Sequence, residues 1–318
     1  MKRSLIAAAT VAVGTLTTGS ALAQSSVTIY GRLNVSAERQ ELNNVKTSVL
    51  QNNASRLGFK GTEDLGGGLT AGFVLEHGFN VDTGTPSQTS FWKRQSEVNL
   101  AGGFGMLRLG NFTSEAYYAT SDYIGMHNHE TGTSSDALYA YLTRDINKIA
   151  YRTPEFIKGL TAEAAVMAGE GGGRARNYDV AINYGAGPLH LGFGYEKAAL
   201  NAKQFAFSAL YELGPIVIGA MVQRDTDGWG AGFGDRTNFR GSVAYNFGAN
   251  ELHFNYGKSG KYSKVANSDA DQVTVGYNYN LSKRTKVYSF ITKTDDNARI
   301  YGFGGDFTSV AAGVRHNF

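Results

Sequence analysis

The sequence predicts an all-β chain, a sixteen-stranded antiparallel transmembrane β-barrel, on three observations. Segments of about ten residues alternate apolar and polar side chains. The connections between them alternate between tight turns and longer polar loops. The polar face of the segments carries cations that no dry core could hold, because each uncompensated charge would cost several kcal/mol there. Composition agrees: 318 residues with 41 Gly, 18 Phe and 18 Tyr but only 4 Pro is poor material for helices, since Gly in a helix interior costs ~1 kcal/mol relative to Ala. The absence of Cys removes disulfides, thiolate metal sites and Cys nucleophiles. No apolar run of ~18 residues lies in the body of the chain, which excludes membrane-spanning helices.

The first residues read as an address. Lys2 and Arg3 precede an apolar stretch from Leu5 to Leu16, and Ala21-Leu22-Ala23 precedes Gln24. This is the charged, apolar, small-residue order of a secretory signal peptide over 1–23, leaving 24–318 as one barrel domain. Removal of those two cations takes the net charge from +3 to +1. So neutral a chain gives no reason to expect nucleic acid as a partner.

The strands follow in order. Val27, Ile29, Leu33 and Val35 share one face, with Thr28, Tyr30, Arg32 and Asn34 on the other. The alternation returns at Leu69, Ala71, Phe73 and Leu75, and again at Ile149 and Tyr151 against Lys148 and Arg152. It closes the chain at Val310, Ala312, Val314, His316 and Phe318, opposite Gly313 and Arg315. Seven tight turns fall at 64–68, 101–105, 154–159, 185–188, 213–215, 248–250 and 281–283. Eight polar loops fall near 38–52, 81–90, 113–145, 169–176, 198–203, 225–236, 259–270 and 294–307. Fifteen connections make sixteen strands. In lipid every backbone polar group must be paired within the chain, which for strands means closure, and sixteen strands enclose a lumen wide enough for water.

Five stretches are spread over the whole mature chain: Ser26-Val-Thr-Ile-Tyr-Gly31, Ser55-Arg-Leu-Gly-Phe-Lys-Gly-Thr-Glu-Asp-Leu-Gly-Gly-Gly-Leu69, Leu75-Glu-His-Gly-Phe79, Gly103-Phe-Gly-Met-Leu-Arg-Leu-Gly110 and Gly313-Val-Arg-His-Asn-Phe318. Together they resemble the Gram-negative general porins of the β-proteobacterial type, the Neisseria, Bordetella and Burkholderia-like group. The resemblance implies a homotrimer in the outer membrane, with short periplasmic turns and long outer loops, bordered by lipid and lipopolysaccharide. Each barrel would pass ions and small hydrophilic solutes by diffusion. The third outer loop, 113–145, would fold inward as the constriction, and Phe318 would belong to the signal read by the outer-membrane assembly machinery. One residue departs from the family pattern: Glu97 stands where an aromatic or apolar side chain is usual, which puts the phase of the fourth strand in question.

Turn spacing marks the same loop independently. Turn midpoints are separated by 37, 54, 30, 27, 35 and 33 residues, and the surplus in the second interval lies between Asn111 and Asp145. Excess length inside a compact domain is usually functional or disordered. The stretch holds Glu115, Asp122, Glu130, Asp136 and Asp145 against Arg144, whereas the early strands offer Arg32, Arg56, Lys60, Arg94, Arg108 and Arg152. An acidic loop facing a basic wall would set a transverse field at the narrowest point, with a weak preference for anions. Tyr117, Tyr118, Tyr123, Tyr139 and Tyr141 are expected to pack the loop to the wall.

Other chemistry is weakly signalled. His127 and His129 could ligate a metal, but no further His lies close in sequence, so no metal or other cofactor is expected. The six His with Ser and Asp make an outer-membrane barrel hydrolase the rival from another class, yet no Gly-x-Ser-x-Gly elbow occurs and no catalytic residue is assigned. A substrate-specific barrel channel and a plugged structural barrel are further alternatives. Gly169–Gly173 and Gly302–Gly305 lack the Lys-Ser/Thr ending of a phosphate loop.

Overall fold

A computed structural model describes residues 26–122, 124, 137–142, 145–170, 175–198 and 201–318; the expected signal peptide, Tyr123, His127, His129, Glu130 and Asp136 lie outside them. The strands are β1 (Ser26–Leu42), β2 (Val45–Asn52), β3 (Arg56–Gly66), β4 (Leu69–Gly78), β5 (Gln95–Gly102), β6 (Gly105–Asn111), β7 (Lys148–Arg152), β8 (Leu160–Met167) and β9 (Asn177–Ala186). They continue as β10 (Leu189–Lys197), β11 (Lys203–Leu213), β12 (Ile216–Thr226), β13 (Asp235–Phe247), β14 (Asn250–Ser259), β15 (Ala270–Asn280), β16 (Thr285–Asp296) and β17 (Phe307–Asn317).

Each strand pairs antiparallel with its neighbours, and β17 returns to β1 through the register Arg32↔Asn317 to Leu42↔Phe307. The seventeen segments form sixteen staves, because β2 and β3 are halves of one. β1 pairs with β2 in its upper half and with β3 in its lower half. The register slips by one residue between Val35↔Asn52 and Arg32↔Arg56, so Asn53–Ser55 forms a bulge. Side chains replace the missing ladder there: Asn34 N donates to Ser55 Oγ at 3.0 Å, and Asn53 Nδ2 donates to Ser36 Oγ and Tyr288 Oη at 2.9 Å each.

All seven tight turns fall where expected. The first outer connection does not: 38–52 is strand almost throughout, turning only at Asn43 and Asn44 with φ of 49° and 70°. Two successive left-handed residues make the primed hairpin turn that matches strand twist, and Asn tolerates that conformation. Polar composition reads as loop, but a ladder that rises above the membrane needs no apolar face.

The sidedness is that of a barrel in lipid. Val27 and Ile29 are 66% and 60% exposed, while Asn34, Ser36 and Glu38 on the same strand are buried. Outward Phe104, Phe156, Tyr211, Tyr245, Phe247 and Tyr279 stand toward the turn end, as an interfacial aromatic girdle does. Closure is completed by Phe318, whose N–H donates to Gly31 O at 3.1 Å while Gly31 N–H donates back to Phe318 O at 3.1 Å. Its ring lies where a Cβ on residue 31 would stand, 2.3 Å from Cζ, so only Gly fits. The phase of β5 is regular after all: Glu97 is buried on the inner face and Val98 is exposed, and the site below supplies the reason.

Candidate pore constriction

After β6 the chain turns into the lumen. Ser114 Oγ accepts from Tyr117 N, capping a single helical turn Glu115–Tyr117 that runs into a wider turn Tyr118–Asp122. The loop lies along the inner wall from β7 to β13. Ser208 Oγ on β11 donates to Ala119 O and Ser242 Oγ on β13 to Ile124 O, both at 2.8 Å. Asn238 Nδ2 donates to Leu138 O at 3.1 Å, and Gln223 both accepts from Ala140 N at 3.0 Å and donates to Ala140 O at 3.1 Å. Leu142 N donates to Glu196 Oε2 at 3.0 Å. Inward Gly192 allows the contact, because a Cβ there would stand 1.9 Å from Ala119 O. These wall side chains are polar because they stand in for the water that would otherwise hydrate the loop backbone.

The tyrosines pack as expected where they are described. Tyr117 meets Tyr139 and Tyr141 edge-on at 5.6 and 5.5 Å between centroids. Tyr139 is buried against Ile124, Ala206, Leu210 and Met221, and its hydroxyl accepts from Gln204 Nε2 at 2.8 Å. Tyr141 accepts from Ser114 N at 3.0 Å and donates to Asp145.

Beneath the helical turn lies an ionic cluster. Arg108 donates to Glu97 through Nε at 3.0 Å and Nη2 at 2.8 Å, and through Nη1 to both Glu163 oxygens at 3.0 and 2.9 Å. Its guanidinium lies 4.1 Å from the Phe112 ring centroid. Arg152 donates to Glu163 Oε2 at 2.9 Å and to Glu115 Oε2 at 2.5 Å. Asn183 Nδ2 donates to Glu115 Oε1 at 3.1 Å. Glu97 thus stands on the inner face to hold Arg108, and two arginines are spanned by three carboxylates. Burial pushes the Glu115 carboxyl above its ordinary range, against the pull of Arg152. Nearby, Lys148 and Asp179 are paired at 2.8 Å, both fully buried.

The opposite wall differs. In a closed ring of sixteen staves β10 stands eight from β1, directly across the bore. On the β1 side the register brings inward cations side by side, Lys286 opposite Arg315 and Arg32 opposite Arg56, with Arg315 also opposite Asn34. Lys60 lies 5.4 Å from the Tyr30 ring centroid. Arg94 Nε donates to Glu76 Oε1 at 2.7 Å, Arg56 Nε stands 3.8 Å from Glu76 Oε2, and Tyr30 also hydrogen-bonds Glu76. Arg32 Nε donates to Asn317 Oδ1 at 3.1 Å. Among the described residues the band therefore sets six cations, Lys286, Arg315, Arg32, Arg56, Lys60 and Arg94, against the carboxylate of Glu76, with Glu251 in electrostatic reach of Lys286. Tyr118 of the loop, 43% exposed, lies within electrostatic reach of Arg94 and Glu76 as well as of Asp122, so the loop approaches the band.

Of the residues singled out in the sequence, Arg32, Arg56, Lys60 and Arg94 share one wall. Arg108 and Arg152 stand on the loop's side, bonded to the carboxylates. Glu115 is clamped to Arg152, and Asp122 is half-buried at the end of the helical turns. Sequence reasoning overlooked Glu76, Glu97 and Glu163 as partners and Lys286 as a neighbour of Arg315. The inward phase was legible for Arg315, but the pairings needed the register. Among the described residues no group of three or more His, Asp or Glu side chains is arranged to hold a metal ion.

Comparison with known proteins agrees with this geometry. The model of the Gram-negative porin family matches residues 8–299. Outer membrane porin protein 32 of Delftia acidovorans is 31% identical over the whole of both chains. The major outer membrane protein P.IB of Neisseria meningitidis serogroup B is 28% identical, covering 90% of this chain and 91% of that one. Among solved structures, an anion-selective porin from Comamonas acidovorans superposes with a TM-score of 0.77 at 25% identity, covering 93% of this chain and all of that one. The family match and these relatives indicate a channel rather than an enzyme, and the chain belongs to the family of Gram-negative porins of the outer membrane.

Proposed function

We propose that this porin passes ions and small hydrophilic solutes by diffusion with a weak preference for anions, set where the inward loop faces the basic band. One observation carries the reading: among the described residues six band cations face the bore with Glu76 bonded among them and Glu251 in electrostatic reach of Lys286, while Glu115 across the bore is already neutralised by Arg152. Low-dielectric walls concentrate such a field, and anions entering the gap meet more positive than negative charge on that wall. The relative from Comamonas, described as anion-selective, supports the sign. Arg32, Arg56, Lys60 and Arg94 form the selecting wall in this reading; Arg108 and Arg152 hold the loop. Glu130 and Asp136, outside the described residues, would add acidic charge on the loop side.

The same reading takes residues 1–23 as a cleaved export signal, the working unit as a homotrimer, Phe318 as the residue read by the assembly machinery, and outer-leaflet lipopolysaccharide as the neighbour of the upper wall. One structural neighbour, an outer membrane protein of Vibrio cholerae described in a trimer form, supports the assembly. The test is a planar-bilayer recording under a salt gradient, run beside liposome swelling with sugars of graded size. Stepwise ohmic conductance with a reversal potential of anionic sign is expected; cation preference or no conductance would overturn the reading.

A further inference from the structure

We propose that the outward row of Lys197, Lys203 and Arg224, on the loop side of β10–β12, is a docking site for the phosphorylated headgroup of an outer-leaflet glycolipid. The proposal rests on the lipid contact suggested above and gives it residues. Register aligns the outer surface in three tiers. The top tier runs Tyr178, Lys197, Lys203, Thr226 and Asp235 across β9–β13. The next runs Val180, Tyr195, Phe205, Arg224 and Thr237, and the third Ile182, Phe193, Phe207, Val222 and Phe239.

Two features of this surface point to an anion with an apolar body. Lys197 and Lys203 are direct cross-strand partners, and like charges so placed, with Cβ atoms ~5 Å apart, repel. Among the described residues neither lysine is in an ion pair, and Asp235, bonded to Arg224 at 3.2 Å and to Thr226 at 2.7 Å, is the acid beside them. The other outward lysines on strands have acids: Lys46 with Glu41 at 3.6 Å, Lys258 with Asp271 at 4.0 Å and Lys293 with Asp295 at 2.8 Å. Directly below the lysine pair, Phe205 and Phe207 are 42% and 50% exposed, with Phe193 and Phe207 centroids 4.9 Å apart. Aromatic rings of this kind mark the acyl–headgroup boundary. A molecule whose phosphate bridges the lysines and whose chains lie over the rings satisfies both tiers; free phosphate satisfies one.

The full-length protein is reconstituted in vesicles containing either diphosphorylated lipid A or the same lipid dephosphorylated, extracted in mild detergent, and the lipid carried per barrel is counted by mass spectrometry. The wild type is expected to retain the phosphorylated form preferentially. The K197Q/K203Q pair should bind it roughly thirtyfold more weakly, since each cation near a lipid surface contributes about fivefold. The K197R/K203R pair should restore retention, and inorganic phosphate should not displace the lipid. Unchanged heat-modifiable migration shows that the variants fold. Equal retention by wild type and K197Q/K203Q overturns this site alone, whereas no retention by the wild type overturns the lipid contact itself. A co-purifying protein lost with the lysines would overturn the lipid assignment in favour of a protein partner.

Discussion

Two sets of arginines face the lumen, and their surroundings divide their work. Arg108 is bonded through three nitrogens to Glu97 and Glu163, with its side chain 11% exposed and that of Glu163 1%. Arg32, Arg56 and Arg94 share Glu76 and Asn317 among them and remain partly open to the bore. A guanidinium whose donors are satisfied by buried carboxylates has little left for a passing ion, and its removal strands the acids. One that stays partly open to the bore can exchange water for a permeant anion. In the proposed reading a selectivity residue is set apart by the charge balance around it, not by its position in the lumen alone.

The largest effect should come from Arg108→Leu, which leaves Glu97 and Glu163 buried without their cation. A loss of about 3 kcal/mol in barrel stability is expected, read as a lowered temperature of heat-modifiable migration, with little change in ion preference in barrels that remain folded. A large selectivity change at unaltered stability would erase the distinction between the two sets. Next comes the combined replacement of Arg32, Arg56 and Arg94 by Gln, which removes half of the band's six cations. The reversal potential should move toward cations, with the anion-to-cation ratio falling several-fold and stability nearly unchanged because partly exposed charges contribute ~1 kcal/mol or less each. An unchanged ratio would remove the band from the mechanism.

Sequence and structure agree where periodicity alone decides, as at β1, where alternate residues meet lipid and lumen. They also agree at the seven tight turns, whose Gly, Asn and Pro carry local conformational preferences. They part where a decision is non-local. The 38–52 segment is polar because its ladder stands above the membrane, and composition cannot separate a solvated strand from a loop. Glu97 broke an expected pattern for a reason eleven residues away, at Arg108 on the neighbouring strand. The grouping of Arg108 and Arg152 with the loop, not with the basic band, depends on staves 5 and 6 lying under it. That follows from register and closure rather than from residue type.

Acidification sharpens the comparison from the loop side. Burial raises the Glu115 carboxyl above the usual range, so it takes up its proton at a higher pH than a free glutamate. Arg152, Arg108, Glu163 and Asp179 are the charges that act on it. As pH falls and Glu115 is protonated ahead of ordinary glutamates, it no longer neutralises Arg152, a net negative charge leaves the loop, and anion preference should rise. Glu115→Gln should start at the higher preference and show a flatter pH profile; a profile as steep as wild type would assign the titration to another group.

The smallest effect distinguishes charge from position within the band. Lys60 is exposed, stacks near Tyr30 and lies farther along β3 toward the turns than Arg56. Water and salt reach it freely, and at 1 M salt fields beyond ~3 Å are screened. Lys60→Gln should therefore change the permeability ratio by less than about twofold at 0.1 M salt and not measurably at 1 M. Arg56→Gln, half-buried beside Glu76, should keep part of its effect at 1 M, because walls of low dielectric exclude the counterions that screen Lys60. Equal salt sensitivity in the two variants would mean that the band acts as a diffuse surface potential at the mouth, and the constriction would lose its claim to sort ions.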